Sequence, residues 1–313
     1  MFPLKKISAC ILFGLVSFYG FSQVNLWELR QKAKQNDSLA QYELALFYQQ
    51  PGTFHSEEKS LRWLKESARH GHAEAQFLIG EIYAAGEMLK KNPDSSFYWL
   101  SKSAAQNHKQ ALFKLAEYYL KGYGTEVDYS KAYENYLKAA KAGHVEAQYM
   151  TGVLLESGKG VKTNKKEAFQ WFLKAAENGH PHAQFMTGIS YWTGEGVKKD
   201  KKEAVKWFLK SAEQNDPDAQ FMLGMAYYTG EGGLSLDYVK AAEYFKKSAE
   251  KSQDKAQYML GIIYWRGNGV FPDKAKAAYW LKKSIDQGNR KAKKFWDKYK
   301  VKKYYIPDIN SDR

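Results

Sequence analysis

The chain has 313 residues and a formal charge of +14, with 44% hydrophobic and 16% aromatic residues, among them nine Trp and 23 Tyr. That apolar content supports a packed core, and the single cysteine excludes a fold stapled by internal disulfides. The positive charge would admit nucleic acid as a partner, but no nucleic-acid-binding module is recognisable, so none is expected.

Residues 1–22 carry Lys5 and Lys6, an apolar run from Ile7 to Phe21, and the small residues Gly20 and Ser22 near its end. This is the pattern of a secretory signal peptide cleaved before Gln23, which predicts an exported protein, periplasmic or secreted, with no transmembrane segment left after cleavage. The one cysteine, Cys10, leaves with the leader. Residues 23–35, with Leu26, Leu29 and Ala33, read as an N-terminal capping helix.

From residue 36 to 287 the chain repeats itself. An alanine anchors each copy, at Ala40, Ala75, Ala111, Ala147, Ala183, Ala219 and Ala256, in steps of 35 to 37 residues, and Ala292 begins a final half copy. In the copy from Gly179 to Gln214, Ala183, Thr187 and Tyr191 keep helical spacing up to Gly194, and Ala204, Trp207, Phe208, Ser211 and Ala212 resume it after the break. Each copy is therefore two antiparallel helices. Gly194 and Gly196 suit the positive backbone angles of the turn, Asp200 with Glu203 forms an Asp-led capping box, and Asp216-Pro217 places an N-cap before a proline at the first helical position. Small residues five after the anchor (Gly80, Ala116, Gly152, Gly188, Gly224, Gly261) let helices approach closely. A pair this short cannot bury its apolar faces alone, so the copies must stack. Residues 288–305, with Phe295, Trp296 and Tyr299 among many lysines, read as a basic C-terminal capping helix, and 306–313 as a frayed polar tail.

The recurring pattern A-Q-[YF]-x-x-G-x-x-Y-x-x-G-x-G-V, followed by an Ala-containing helix with a Trp and a Lys, resembles the Sel1-like repeat, a relative of the tetratricopeptide repeat. The resemblance covers roughly residues 40 to 300 and is closest from Gly143 to Gln214. It implies an all-α, right-handed α-solenoid of about seven helix-turn-helix repeats with terminal capping helices, and a role in protein–protein scaffolding. One cysteine-rich bacterial branch of the family is associated with β-lactam binding or hydrolysis, so an envelope β-lactam-binding protein or hydrolase is the implied alternative. That branch pairs cysteines within its repeats, and this chain has none there.

Two surfaces stand out when the copies are compared on a helical wheel. On the first helix, the residues one before and three, six and ten after the anchor form a strip between two packed sides. In early copies it is charged (Glu74, Glu81, Lys114, Glu117, Lys121). From copy four it turns apolar: Met150, Val153, Met186, Ile189, Met222, Met225, Met259 and Ile262. Methionine suits surfaces that accept varied apolar partners, and this strip is the candidate concave groove for a protein or peptide segment. The competing expectation is that tight curvature makes these side chains core. On the second helix, Lys102, Lys138, Lys174, Lys210, Lys247 and Lys283 form a basic row expected on the convex side, suited to an anionic glycan or lipid of the envelope.

Chemistry is not expected. His72, His108, His144 and His180 recur one stacking step apart, too far to share an ion, and no catalytic or phosphate-cradling motif appears. The sequence thus predicts no metal, no cofactor and no catalytic residue.

Overall fold

The computed structural model describes residues 25–52 and 54–307. The leader assigned to residues 1–22 and the tail from residue 308 on lie outside the described residues. Among those described, sixteen α-helices and one 3-10 turn account for the regular structure. The chain divides into two compact units, Met1–Thr163 and Asn164–Arg313.

The first unit contains α1 (Leu26–Lys34), α2 (Ser38–Gln49), α3 (Glu57–Arg69), α4 (Ala73–Ala85), α5 (Pro93–Ala105), α6 (Lys109–Lys121), α7 (Tyr129–Lys141) and α8 (Val145–Ser157). The second contains α9 (Lys165–Glu177), α10 (Pro181–Thr193), α11 (Lys201–Glu213), α12 (Pro217–Thr229), α13 (Tyr238–Glu250), α14 (Asp254–Arg266), α15 (Lys274–Asp286), α16 (Arg290–Lys298) and the 3-10 turn Val301–Tyr304. Within each unit, helices consecutive in the chain pack on one another. The fold is an α-solenoid.

Local chemistry accounts for the helix boundaries. In the hairpin of α10 and α11, Gly194 and Gly196 take φ of 85° and 74°, conformations that cost a side-chain-bearing residue about 1 kcal/mol or more. Asp200 caps α11 by accepting from the N–H groups of Lys202 and Glu203, each at 3.0 Å. The reciprocal half of the expected capping box is not used. The Asp200 N–H already donates to the Tyr191 carbonyl at 2.8 Å, and Glu203 instead pairs with Lys206 at 2.7 Å. Asp216 and Pro217 begin α12 as the sequence indicates.

The close approach of paired helices occurs where the small residues recur. A Cβ added at Gly188 would stand 2.5 Å from the Phe208 ring, and one at Gly224 would stand 2.7 Å from that of Phe245. The buried core of each unit is thus a series of small clusters, for example Ala204, Val205, Phe208, Ala219 and Leu223 in the second unit. At a typical 1.5–3 kcal/mol per fully buried large apolar side chain, each cluster supplies several kcal/mol toward the ordering cost of its helices.

Candidate binding surface

The first helices present the two features singled out in the sequence, the histidines and the methionine strip, and their positions separate structure from candidate function. Three residues before each anchor alanine sits an N-cap whose side chain accepts from the anchor N–H. This is Asp37 to Ala40 at 2.9 Å, His72 to Ala75 at 3.3 Å, His108 to Ala111 at 3.3 Å, His144 to Ala147 at 3.2 Å, and His180 to Ala183 at 3.1 Å. Asp216, Gln253 and Asn289 serve α12, α14 and α16 in the same way. Each histidine accepts through Nδ1, the arrangement in which a neutral ring carries its proton on Nε2. In the first unit the rings of His72, His108 and His144 also lie against Tyr42, Phe77 and Phe113 of the preceding repeat, with centroids 4.4 to 5.0 Å apart. The recurrent histidines thus end helices and join repeats. Among the described residues, no group of three His, Cys, Asp or Glu is placed to hold a metal ion.

The residue before or two before the anchor reaches the N-cap of the next repeat. The His108 Nε2 lies 2.8 Å from Glu74, His182 Nδ1 lies 2.7 Å from Asp216, and Asn289 donates to Asp254 at 3.0 Å. Glu74, read as part of the charged strip, is therefore engaged in this relay. The rest of that strip in the first unit is an ion-pair network. Lys114 lies 3.9 Å from Glu81 and 3.5 Å from Glu117, and Lys121 lies 3.2 Å from Glu117. Burial pushes the Glu81 carboxyl above the usual carboxylate range, against the pull of Lys114.

In the apolar part of the strip, Met150 and Val153 on α8, Met186 and Ile189 on α10, Met222 and Met225 on α12, and Met259 on α14 are all half-buried. Ile262 alone is buried, at 5% exposure. In the second unit these side chains pack on the core: Ile189 and Met222 on the Phe208 cluster, Met225 and Met259 on the Phe245 cluster. The seven half-buried side chains retain accessible surface, and Ile262 offers almost none.

The basic row is exposed throughout, at Lys102, Lys138, Lys174, Lys210, Lys247 and Lys283. Five of the six lie over an aromatic ring of their own helix, as in Lys210 over Trp207 at 4.1 Å from its centroid and Lys174 over Trp171 at 5.4 Å. The exception follows from composition, since copy three carries Asn135 where the others carry Trp or Tyr.

Two sets of functional-looking residues escape a reading of periodicity alone. Gln41, Gln76, Gln148, Gln184, Gln220 and Gln257, next to the anchors, are buried, and each donates to a carbonyl eight residues earlier, at the end of the preceding helix. Ser67, Ser103, Ser211, Ser248 and Ser284 donate to the first residue of their own repeat's first helix. Their recurrence in register is the signal that marks them, and both sets serve the scaffold.

The Sel1 repeat pattern matches residues 38–72, 73–108, 109–144, 145–180, 181–216, 217–252 and 254–289. The chain belongs to the Sel1 repeat family. Among solved structures it resembles c5321, a protective antigen present in uropathogenic Escherichia coli strains, with 31% identity and a TM-score of 0.75. The match covers 87% of this chain and 58% of that one. It also resembles a Sel1 repeat protein from Oxalobacter formigenes, with 29% identity and a TM-score of 0.59 over 88% of this chain and 90% of the other. No protein with a curated description matches the sequence. Sel1-repeat solenoids typically serve as protein–protein interaction scaffolds and are generally not enzymes. Among the described residues no helix is long and apolar enough to cross a membrane.

Proposed function

We propose that this Sel1 repeat protein is an exported scaffold that holds a segment of a partner protein against the methionine-rich face of its first helices. The observation that carries this reading is the half-burial of Met186, Met222, Met225 and Met259 in the second unit, spaced one repeat or one helical turn apart in the sequence. Half-buried methionines can adapt to an apolar surface at small entropic cost, because part of their freedom is already lost. Export rests on the leader pattern of residues 1–22.

The test replaces both Met186 and Met222 by Glu. The expected outcome is unchanged helicity by circular dichroism, a melting temperature within a few degrees of wild type, and loss of partner capture in pull-downs from the native envelope. A collapse of the melting temperature would instead mark the two side chains as core.

A second reading rests on the exposed lysine row, five of whose members are steadied over aromatic rings. Such a row would attract an anionic glycan or lipid surface. Binding to that surface that weakens with salt and survives the two Met substitutions would favour this reading over the groove.

A further inference from the structure

We propose that a cleft formed by α12, α14 and the start of α16 is the seat for an acidic stretch of the partner, anchored by one bulky apolar side chain. The inference rests on the scaffold reading above and deepens it by naming the chemistry of the bound segment. The cleft has a volume of about 370 Å³, within the range of about 300–1,000 Å³ usual for ligand sites. Its floor is apolar, made by Phe221 and Met225 of α12 and Tyr258 and Met259 of α14. All four are half-buried and held from beneath, three by the Phe245 cluster and Tyr258 by the Leu281 and Trp296 cluster, so the floor is formed before anything binds.

The rim is cationic. Lys255, Arg290 and Lys291 border the opening and are exposed. The one carboxylate at the cleft, Asp254, accepts from the Asn289 side-chain amide at 3.0 Å. No carboxylate among the described residues lies within ion-pairing distance of the three cations, whereas Lys293 on the same helix as Arg290 and Lys291 stands 2.9 Å from Asp297. Three uncompensated cations around an apolar floor are complementary to a segment whose Asp or Glu residues flank a Leu, Met or aromatic side chain, and they disfavour a basic or neutral one by leaving charge unpaired.

The full chain, immobilised, is used to select from a random dodecapeptide display library, and the leading sequence is synthesised for titration. The enriched sequences are expected to carry Asp or Glu within a few positions of a bulky apolar residue. The affinity of the synthetic peptide should fall with salt and drop roughly tenfold or more in the exposed pair Lys255→Glu/Arg290→Glu. Failure to enrich any peptide, enrichment without an acidic excess, or affinity untouched by the charge reversal would overturn the proposal. A peptide whose binding is lost in Met186→Glu/Met222→Glu but kept in the charge-reversed pair would overturn the cleft while leaving the scaffold reading standing. A peptide indifferent to both pairs would remove both.

Discussion

The N-cap of the first helix shows how one position tolerates different chemistry and where that tolerance ends. Asp37, Asp216, Gln253 and Asn289 supply the same acceptor as His72, His108, His144 and His180, yet an imidazole has a single acceptor nitrogen and gives it up on taking a proton. Burial holds the His72 and His144 imidazoles below their ordinary value. At His72 the nearby Glu74 opposes burial and His108 reinforces it; at His144 Lys109 reinforces it, and Glu146 and Glu117 oppose it. The folded state therefore binds protons less readily than the unfolded chain, whose histidines titrate near pH 6.5. As pH falls below about 6.5 the unfolded state takes up protons first and stability drops, whereas above it the contribution is complete. The melting temperature should accordingly fall between pH 7.5 and 5. His72→Asp with His144→Asp should keep the capping bonds, since Asp already caps α2 and α12, should lower neutral-pH stability only by the lost ring contacts with Tyr42 and Phe113, and should flatten that fall. A slope unchanged in the double variant would show that these two caps do not set the acid response. Replacing either histidine by Ala should cost about 0.5–2 kcal/mol at pH 7.

Within one hairpin, separation of the helices is set by the residue five after the anchor. An alanine at Gly188 would gain up to about 1 kcal/mol of helix propensity. It would also thrust a methyl group to 2.5 Å from the fully buried Phe208 ring, which has no free space to enter. Overpacking of this kind costs about 1–3 kcal/mol, so Gly188→Ala should lower the urea midpoint with little change in slope. A higher midpoint would mean that the ring moves aside freely. This glycine was legible in the sequence, as were the hairpins, the Asp200 and Asp216 caps and the exposed lysines, because each obeys a rule confined to one or two helical turns. The relay from Glu74 to His108 was not, for its partners lie 34 residues apart and meet only when repeats stack. For the same reason a helical wheel places the residue before the anchor on the strip without registering that it also serves the next cap. Ile262 was grouped with the methionines by its place on the wheel, but wheel position does not register the packing against neighbouring helices that leaves it 5% exposed.

At the scale of the molecule, contacts that recur one repeat apart make stability a sum of repeat and interface terms, so a whole repeat is a removable part. Deleting residues 217–253 in the second unit joins Asp216 to Asp254, and Asp216 would then cap α14 as it now caps α12. The buried Gln257 would find the Ala212 carbonyl, which Gln220 now uses, in place of that of Ala249. Gly269, which now leaves no room for a side chain against the start of α13, would meet the start of α11, where Gly232 already packs beside the Lys201 carbonyl. Every interface made would thus be a copy of one that exists. The shortened chain should keep its helicity per residue and melt cooperatively at a lower temperature, having lost one repeat and one interface. It should nevertheless lose peptide binding, because the deletion takes Met222 from the strip and Phe221 and Met225 from the floor of the cleft. Circular dichroism and titration with the selected peptide separate the two effects. An unfolded deletion would refute interchangeable interfaces, and a folded one that binds at full affinity would move the binding surface away from the first helices of the second unit.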